Sequence, residues 1–166
     1  PYHEKSIMTN LAWRKVAQSV AEGNQCLVFV HARNETVRTA QEFLGKMREE
    51  GKDYSAKDEC ETWNIEAAKV AKSRNNEMRE LFLSGLGTHH AGMLRPDRLL
   101  MERMFERGLV KVLVATATLS WGVNLPAHTV VIKGTEIYDS KAGGFVEMSM
   151  QDVMQCFGRA GRPQYD

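Results

Sequence analysis

A parallel α/β sheet flanked by helices is the fold this sequence predicts, and three observations predict it. Short, mainly apolar runs without regular polar alternation stand at 26–30, 110–115 and 129–132. Such runs suit strands buried on both faces, which is how parallel sheets are built. Stretches with helical spacing separate the runs, as crossover connections require. The chain has 166 residues, 43% hydrophobic and 26% charged, which is ordinary for one domain with a full core.

The elements follow in order. Leu11, Trp13, Val16, Ala17 and Val20 recur at helical spacing, with Thr9 or Asn10 placed to cap the helix. Cys26-Leu-Val-Phe-Val30 reads as the first buried strand. A helix over 35–50 ends at Gly51, and 52–63 is polar and reads as a loop. Helices are expected over 65–72 and 76–82, then a short strand over 86–90. Pro96 suits the first turn of a helix running to Arg107. Val110–Ala115 and Thr129–Ile132 read as two more buried strands. In the segment 133–148, Gly143-Gly144 separates Thr135–Tyr138 from Phe145–Met148, a β-hairpin excursion. Ser149 with Asp152 three later reads as the capped start of a last helix.

The formal net charge is +1, so any nucleic-acid binding must rest on a few placed groups and not on bulk charge. No apolar run reaches the length of a membrane span, and no secretory signal opens the chain. No membrane partner is therefore expected, and the protein is expected in the nucleus or cytosol. Cys26, Cys60 and Cys156 are odd in number and far apart. That pattern fits free thiols in a reducing compartment. The start at Pro1 and the stop at Asp166 read as one domain, 1–166, of a much larger protein.

In an open parallel sheet, ligands bind outside the carboxyl ends of the strands. Four unusual segments fall there: His31-Ala-Arg33, Thr88-His-His-Ala-Gly-Met93, Ala115–Pro126 and Gln155–Asp166. In the last, Arg159 and Arg162 sit among Gly158, Ala160 and Gly161. Arginine offers a permanent charge and a planar fork for phosphate oxygens, and glycine lets the backbone approach. Yet the chain has no G-x-x-x-x-G-K-[ST] loop and no Asp-Glu pair after a strand. It has arginines for a polyphosphate and nothing to hold one. In the third segment, Thr116 and Thr118 offer short hydroxyls beside backbone amides, a combination that can hold a sugar-phosphate chain without reading bases. Capping of a helical turn is the plainer role for those threonines, as a stabilised turn is for Asn124. Arg33, Arg38, Arg95 and Arg98 are the basic candidates for backbone contact, Arg33 foremost. Gly92 and the helix start after it are expected to offer amides to a phosphate. Adjacent His89 and His90 point to opposite faces of a strand, so no metal site is expected there. Trp13, Trp63 and Trp121 read as core or interface, not as base-stacking platforms.

All four segments, in this order and over the whole chain, resemble the second RecA-like domain of superfamily 2 helicases. Val28–Arg33 looks like motif IV, Thr88–Leu94 like motif IVa, Val112–Pro126 like motif V and Gln155–Arg162 like motif VI. The longer spellings Thr116–His128, Ile132–Thr135 and Gly158–Asp166 are similar to the large tandem-cassette DExH helicases. Residues 28–40 are nearer the cointegrator-complex branch of that family than the spliceosomal branch.

The resemblance implies a RecA-like fold and an ATP-dependent 3′–5′ nucleic-acid helicase. It implies that Gln155, Arg159 and Arg162 reach ATP and Mg2+ held on a first RecA-like domain in cis, Arg162 as the finger. Gly122, Asn124 and Gly158 would lie on the nucleotide side. Thr116, Thr118, Arg33, His90 and Gly92 would hold a single strand of RNA or DNA by its backbone. The domain alone would hydrolyse no ATP, and the parent would work among the subunits of a multiprotein complex. Two other expectations stay open: a regulatory cassette that binds proteins, and a remodeller that displaces proteins without separating strands.

Overall fold

The computed structural model describes residues 2–116, 119, 129–133, 137–139 and 144–146. The order is α1 (Tyr2–Ala21), β1 (Cys26–Phe29), α2 (Arg33–Glu49), α3 (Trp63–Ala71), α4 (Asn76–Phe82), β2 (Leu86–His89), α5 (Arg95–Glu106), β3 (Val112–Ala115), β4 (Thr129–Ile132), β5 (Ile137–Asp139) and β6 (Gly144–Val146). Four strands form one parallel sheet in the order β2-β3-β1-β4. With helices on both faces, this is the RecA-like α/β fold the sequence predicts.

Every residue of β1, β2 and β3 is buried, which explains the unbroken apolar runs of β1 and β3. Alternate strand residues serve opposite faces. Cys26, Val28, Val112 and Val114 pack with Trp13 and Val16 of α1 and Phe43 and Met47 of α2. Leu27, Phe29, Leu113 and Ala115 pack with Trp63, Met78, Phe82, Met104 and Phe105 on the other face. Trp13 and Trp63 are thus core residues, as expected. The strand β4 differs from its expectation. It lies at the edge of the described sheet with β1 as neighbour, and Thr129–Val131 are only half-buried.

The first helix also differs. It begins at Tyr2, so Thr9 and Asn10 lie inside it and not at its start. Residues 2–9 hold no glycine or proline to stop a helix. Leu11, expected on the apolar face, is half-exposed. The second helix starts at Arg33, two residues earlier than its spacing suggests, behind Ala32 with no side-chain cap. Its end matches the expected glycine stop: the Lys52 amide donates to Met47 O at 2.8 Å across Gly51. Pro96 sits in the first turn of α5 as expected. β5 and β6 pair antiparallel, confirming the hairpin, although Gly144 belongs to β6 and not to the turn. The helix expected from Ser149 lies outside the described residues.

Gly85, just before β2, is required by its surroundings. Its φ is 77°, and a Cβ there would stand 2.0 Å from the Tyr54 carbonyl oxygen. The Gly85 carbonyl accepts from the amides of Lys111 (2.7 Å) and Val112 (3.2 Å). The entry to β2 is thereby set against β3, and with it the level of the carboxyl edge.

Candidate nucleic-acid interface

The register brings three turns to one level. Ala115 is opposite Phe29 on one side and His89 on the other. One residue further, the Val30 amide donates to Ala115 O at 2.9 Å and the Thr116 amide to His89 O at 3.2 Å. The turns after β1, β2 and β3 therefore leave the sheet side by side, with Thr116 in the middle.

Arg33 reaches from the β1 turn to the β2 turn. Its Cδ lies 3.5 Å from the point where a Cβ on Gly92 would sit. The His90 ring approaches the same point at 3.1 Å through Nδ1 and Cε1. Arg33 and Gly92 are exposed and His90 is half-buried. Three of the residues expected to hold a strand thus meet in space, though 59 positions separate Arg33 and Gly92 in the chain. A side chain at Gly92 would crowd the His90 ring and touch Arg33, so glycine keeps a close approach open there.

The chemistry at Gly92 differs from its expectation in one respect. Its amide donates to His90 Nδ1 at 3.0 Å, so it is engaged within the loop. That bond needs Nδ1 without a proton, which places the proton of the neutral ring on Nε2. Burial pushes the His90 imidazole below its usual range, and the charge of Arg33 pushes the same way, with smaller contributions from His89 and Arg98. Both favour the neutral ring that the loop geometry needs.

The loop is held from below. The Arg98 guanidinium donates to Ala91 O at 3.1 Å and Met93 O at 3.3 Å. Arg98 was a candidate for backbone contact, and here it shapes the loop. His89 is buried, and its Nε2 lies 2.7 Å from Glu102 Oε2 on α5. Burial lowers the His89 pKa and Glu102 works against that shift. The two histidines therefore face different partners. On the other turn, the Thr36 hydroxyl donates to Arg33 O at 2.6 Å. Thr116 is 8% exposed, and its carbonyl accepts from Leu119 at 3.1 Å, which starts a turn directly after the strand.

Exposed Arg33, the imidazole edge of His90 and a side-chain-free approach at Gly92 make a small polar surface with one permanent positive charge. Such a surface suits a phosphodiester backbone and carries no base-reading pattern. Thr118, Gly122, Asn124, Gln155, Gly158, Arg159 and Arg162 lie outside the described residues. Sequence reasoning missed one residue here. Lys133, one step past β4, is 8% exposed and donates from Nζ to Thr39 Oγ1 at 3.0 Å. Its signals in the sequence were a charged residue directly after the 129–132 run and its place in the Ile132–Thr135 spelling.

Comparison with known proteins finds a family and several relatives. The family described as "Helicase conserved C-terminal domain" matches residues 60–164. Activating signal cointegrator 1 complex subunit 3 of Danio rerio is 52% identical over 160 residues, covering 96% of this chain and 10% of that protein. DExH-box ATP-dependent RNA helicase DExH14 of Arabidopsis thaliana is 50% identical over 161 residues, covering 96% of this chain and 8% of that protein. The Homo sapiens cointegrator subunit is 50% identical over 160 residues and 96% of this chain, which spans 7% of its length.

Proposed function

The chain belongs to the helicase conserved C-terminal domain family, and we propose that it is the second motor domain of an ATP-dependent 3′–5′ nucleic-acid helicase. The observation that supports this most is the meeting of Arg33, His90 and Gly92 beside Thr116 at the carboxyl edge of the sheet. In this reading they hold one strand of RNA or DNA by its phosphates. The sequence-implied nucleotide residues, Gln155, Arg159 and Arg162 with Gly122, Asn124 and Gly158, face ATP on a first RecA-like domain. Arg162 places its guanidinium against the charge that develops during phosphoryl transfer, and Arg159 assists it.

Among the described residues no group of His, Cys, Asp or Glu is arranged to hold a metal ion. Mg2+ in this reading belongs to the first domain. The work of this chain is to grip the strand and to deliver arginines when the two domains close. Its near-neutral charge agrees with a grip made by few groups.

The test uses the full-length protein carrying Arg33→Ala or Thr116→Val. ATPase stimulated by single-stranded RNA or DNA should fall by about tenfold, from the loss of a backbone contact worth on the order of 1–3 kcal/mol. Unstimulated ATPase should fall much less. Equal losses of both would overturn the strand-holding role. A duplex-unwinding assay beside a protein-displacement assay separates a helicase from a remodeller.

A further inference from the structure

We infer that Lys133 is a positioning residue for the Arg33 strand contact: it staples the β1–α2 turn from the end of β4. The inference rests on the reading that Arg33 touches the strand. Lys133 directs two donors into one segment. Its backbone amide donates to Phe29 O at 2.8 Å. Its Nζ donates to Thr39 Oγ1 at 3.0 Å in a buried bond. Phe29 is the last residue of β1, and Thr39 lies in the second turn of α2. Between those two bonds the chain makes the turn that presents Arg33.

The helix that begins with Arg33 has weak means of its own to fix its start. Ala32, its cap residue, makes no side-chain bond, whereas Asn75 caps α4 through the Met78 amide at 3.0 Å. Two buried hydroxyls stand close behind that start. Thr36 and Thr39 are both fully buried and lie three apart on one face. Thr36 bonds the Arg33 carbonyl at 2.6 Å, and Thr39 receives Lys133. A connected path of bonds and one helical turn thus runs from β4 to the backbone of Arg33.

Holding this lysine inside is costly. Ordering its four-carbon stem costs conformational entropy, and withdrawing an ammonium group from water adds to that. A plain apolar residue could fill the same space without either cost. The amine adds direction, since one of its donors is aimed at the Thr39 hydroxyl of the helix bearing Arg33. Contact residues work when their supports hold them to within about 0.5 Å.

The test measures equilibrium binding of a fluorescent single-stranded RNA oligonucleotide to the full-length protein without ATP. Lys133→Met keeps the stem and removes the amine. Thr39→Val removes the acceptor with little change of shape, and serves if the lysine variant does not fold. Each should weaken binding by about tenfold, since a displacement of about 1 Å can cost up to a hundredfold in positioned contacts. The double variant Arg33→Ala/Lys133→Met should bind within about twofold of Arg33→Ala alone, because a positioning residue has nothing left to position. Losses that multiply in the double variant would overturn the inference. So would binding by both Lys133→Met and Thr39→Val within about twofold of the parent. If Arg33→Ala itself leaves binding unchanged, the strand-contact reading fails and takes the inference with it. If Arg33→Ala weakens binding and the two support variants do not, only the positioning role fails.

Discussion

The amide of Gly92 donates to the imidazole Nδ1 of His90 at 3.0 Å, so this bond in the loop after β2 lasts only while Nδ1 carries no proton. His90 has a pKa lowered by burial first and by Arg33 second. A histidine with a folded pKa below its unfolded value takes up a proton on opening. Stability of the loop is therefore complete above the unfolded pKa and declines as pH falls through the ordinary histidine range. Exchange of the Gly92 amide, corrected for intrinsic rates, should accelerate between about pH 7.5 and about pH 5.5. A flat corrected rate across that window would show that the ring does not control the loop.

The Arg98 guanidinium supports the same loop through the carbonyls of Ala91 and Met93. Arg98→Ala should raise exchange in 90–94 and weaken single-strand binding by roughly fivefold, about the value of one charge-assisted bond in a half-exposed site. Loss of binding with unchanged exchange would instead make Arg98 a direct strand contact.

Two glycines separate crowding from freedom. A Cβ on Gly85 meets the Tyr54 carbonyl oxygen at 2.0 Å with φ at 77°, whereas a Cβ on helical Gly45 meets nothing within 4 Å. Gly85→Ala should lower unfolding stability by about 2–4 kcal/mol, and Gly45→Ala should raise it by about 0.5–1 kcal/mol. Denaturant titration of both variants checks the contrast, and a harmless Gly85→Ala would mean that the entry to β2 is looser than described.

The purified 166-residue chain should show no ATP turnover, because its sequence carries neither a phosphate-holding G-x-x-x-x-G-K-[ST] loop nor an Asp-Glu pair after a strand. Turnover that persists through purification would remove the division of labour between two domains.

The fold was legible where burial alone decides structure. Unbroken apolar runs marked β1 and β3 because both faces are covered, and the Gly143-Gly144 pair marked the hairpin. Local signals failed where tertiary contacts took over. Thr9 resembled a cap but is buried inside α1, since a short hydroxyl is tolerated mid-helix. Arg33 could be named from its place at a strand end, yet its approach to Gly92 depends on the sheet order, which no local pattern encodes. The path from Lys133 to Thr39 spans 94 positions and left only an odd lysine as its trace. The arginine motif at 155–162 was legible as chemistry alone, since it lies outside the described residues.

The most direct test of the second-motor-domain reading is single-turnover ATP hydrolysis by the full-length protein carrying Arg162→Ala, with nucleotide affinity measured alongside. Hydrolysis should fall by about a thousandfold or more, the usual contribution of such a finger, with nucleotide binding changed by less than about threefold. Hydrolysis at the wild-type rate would contradict the reading.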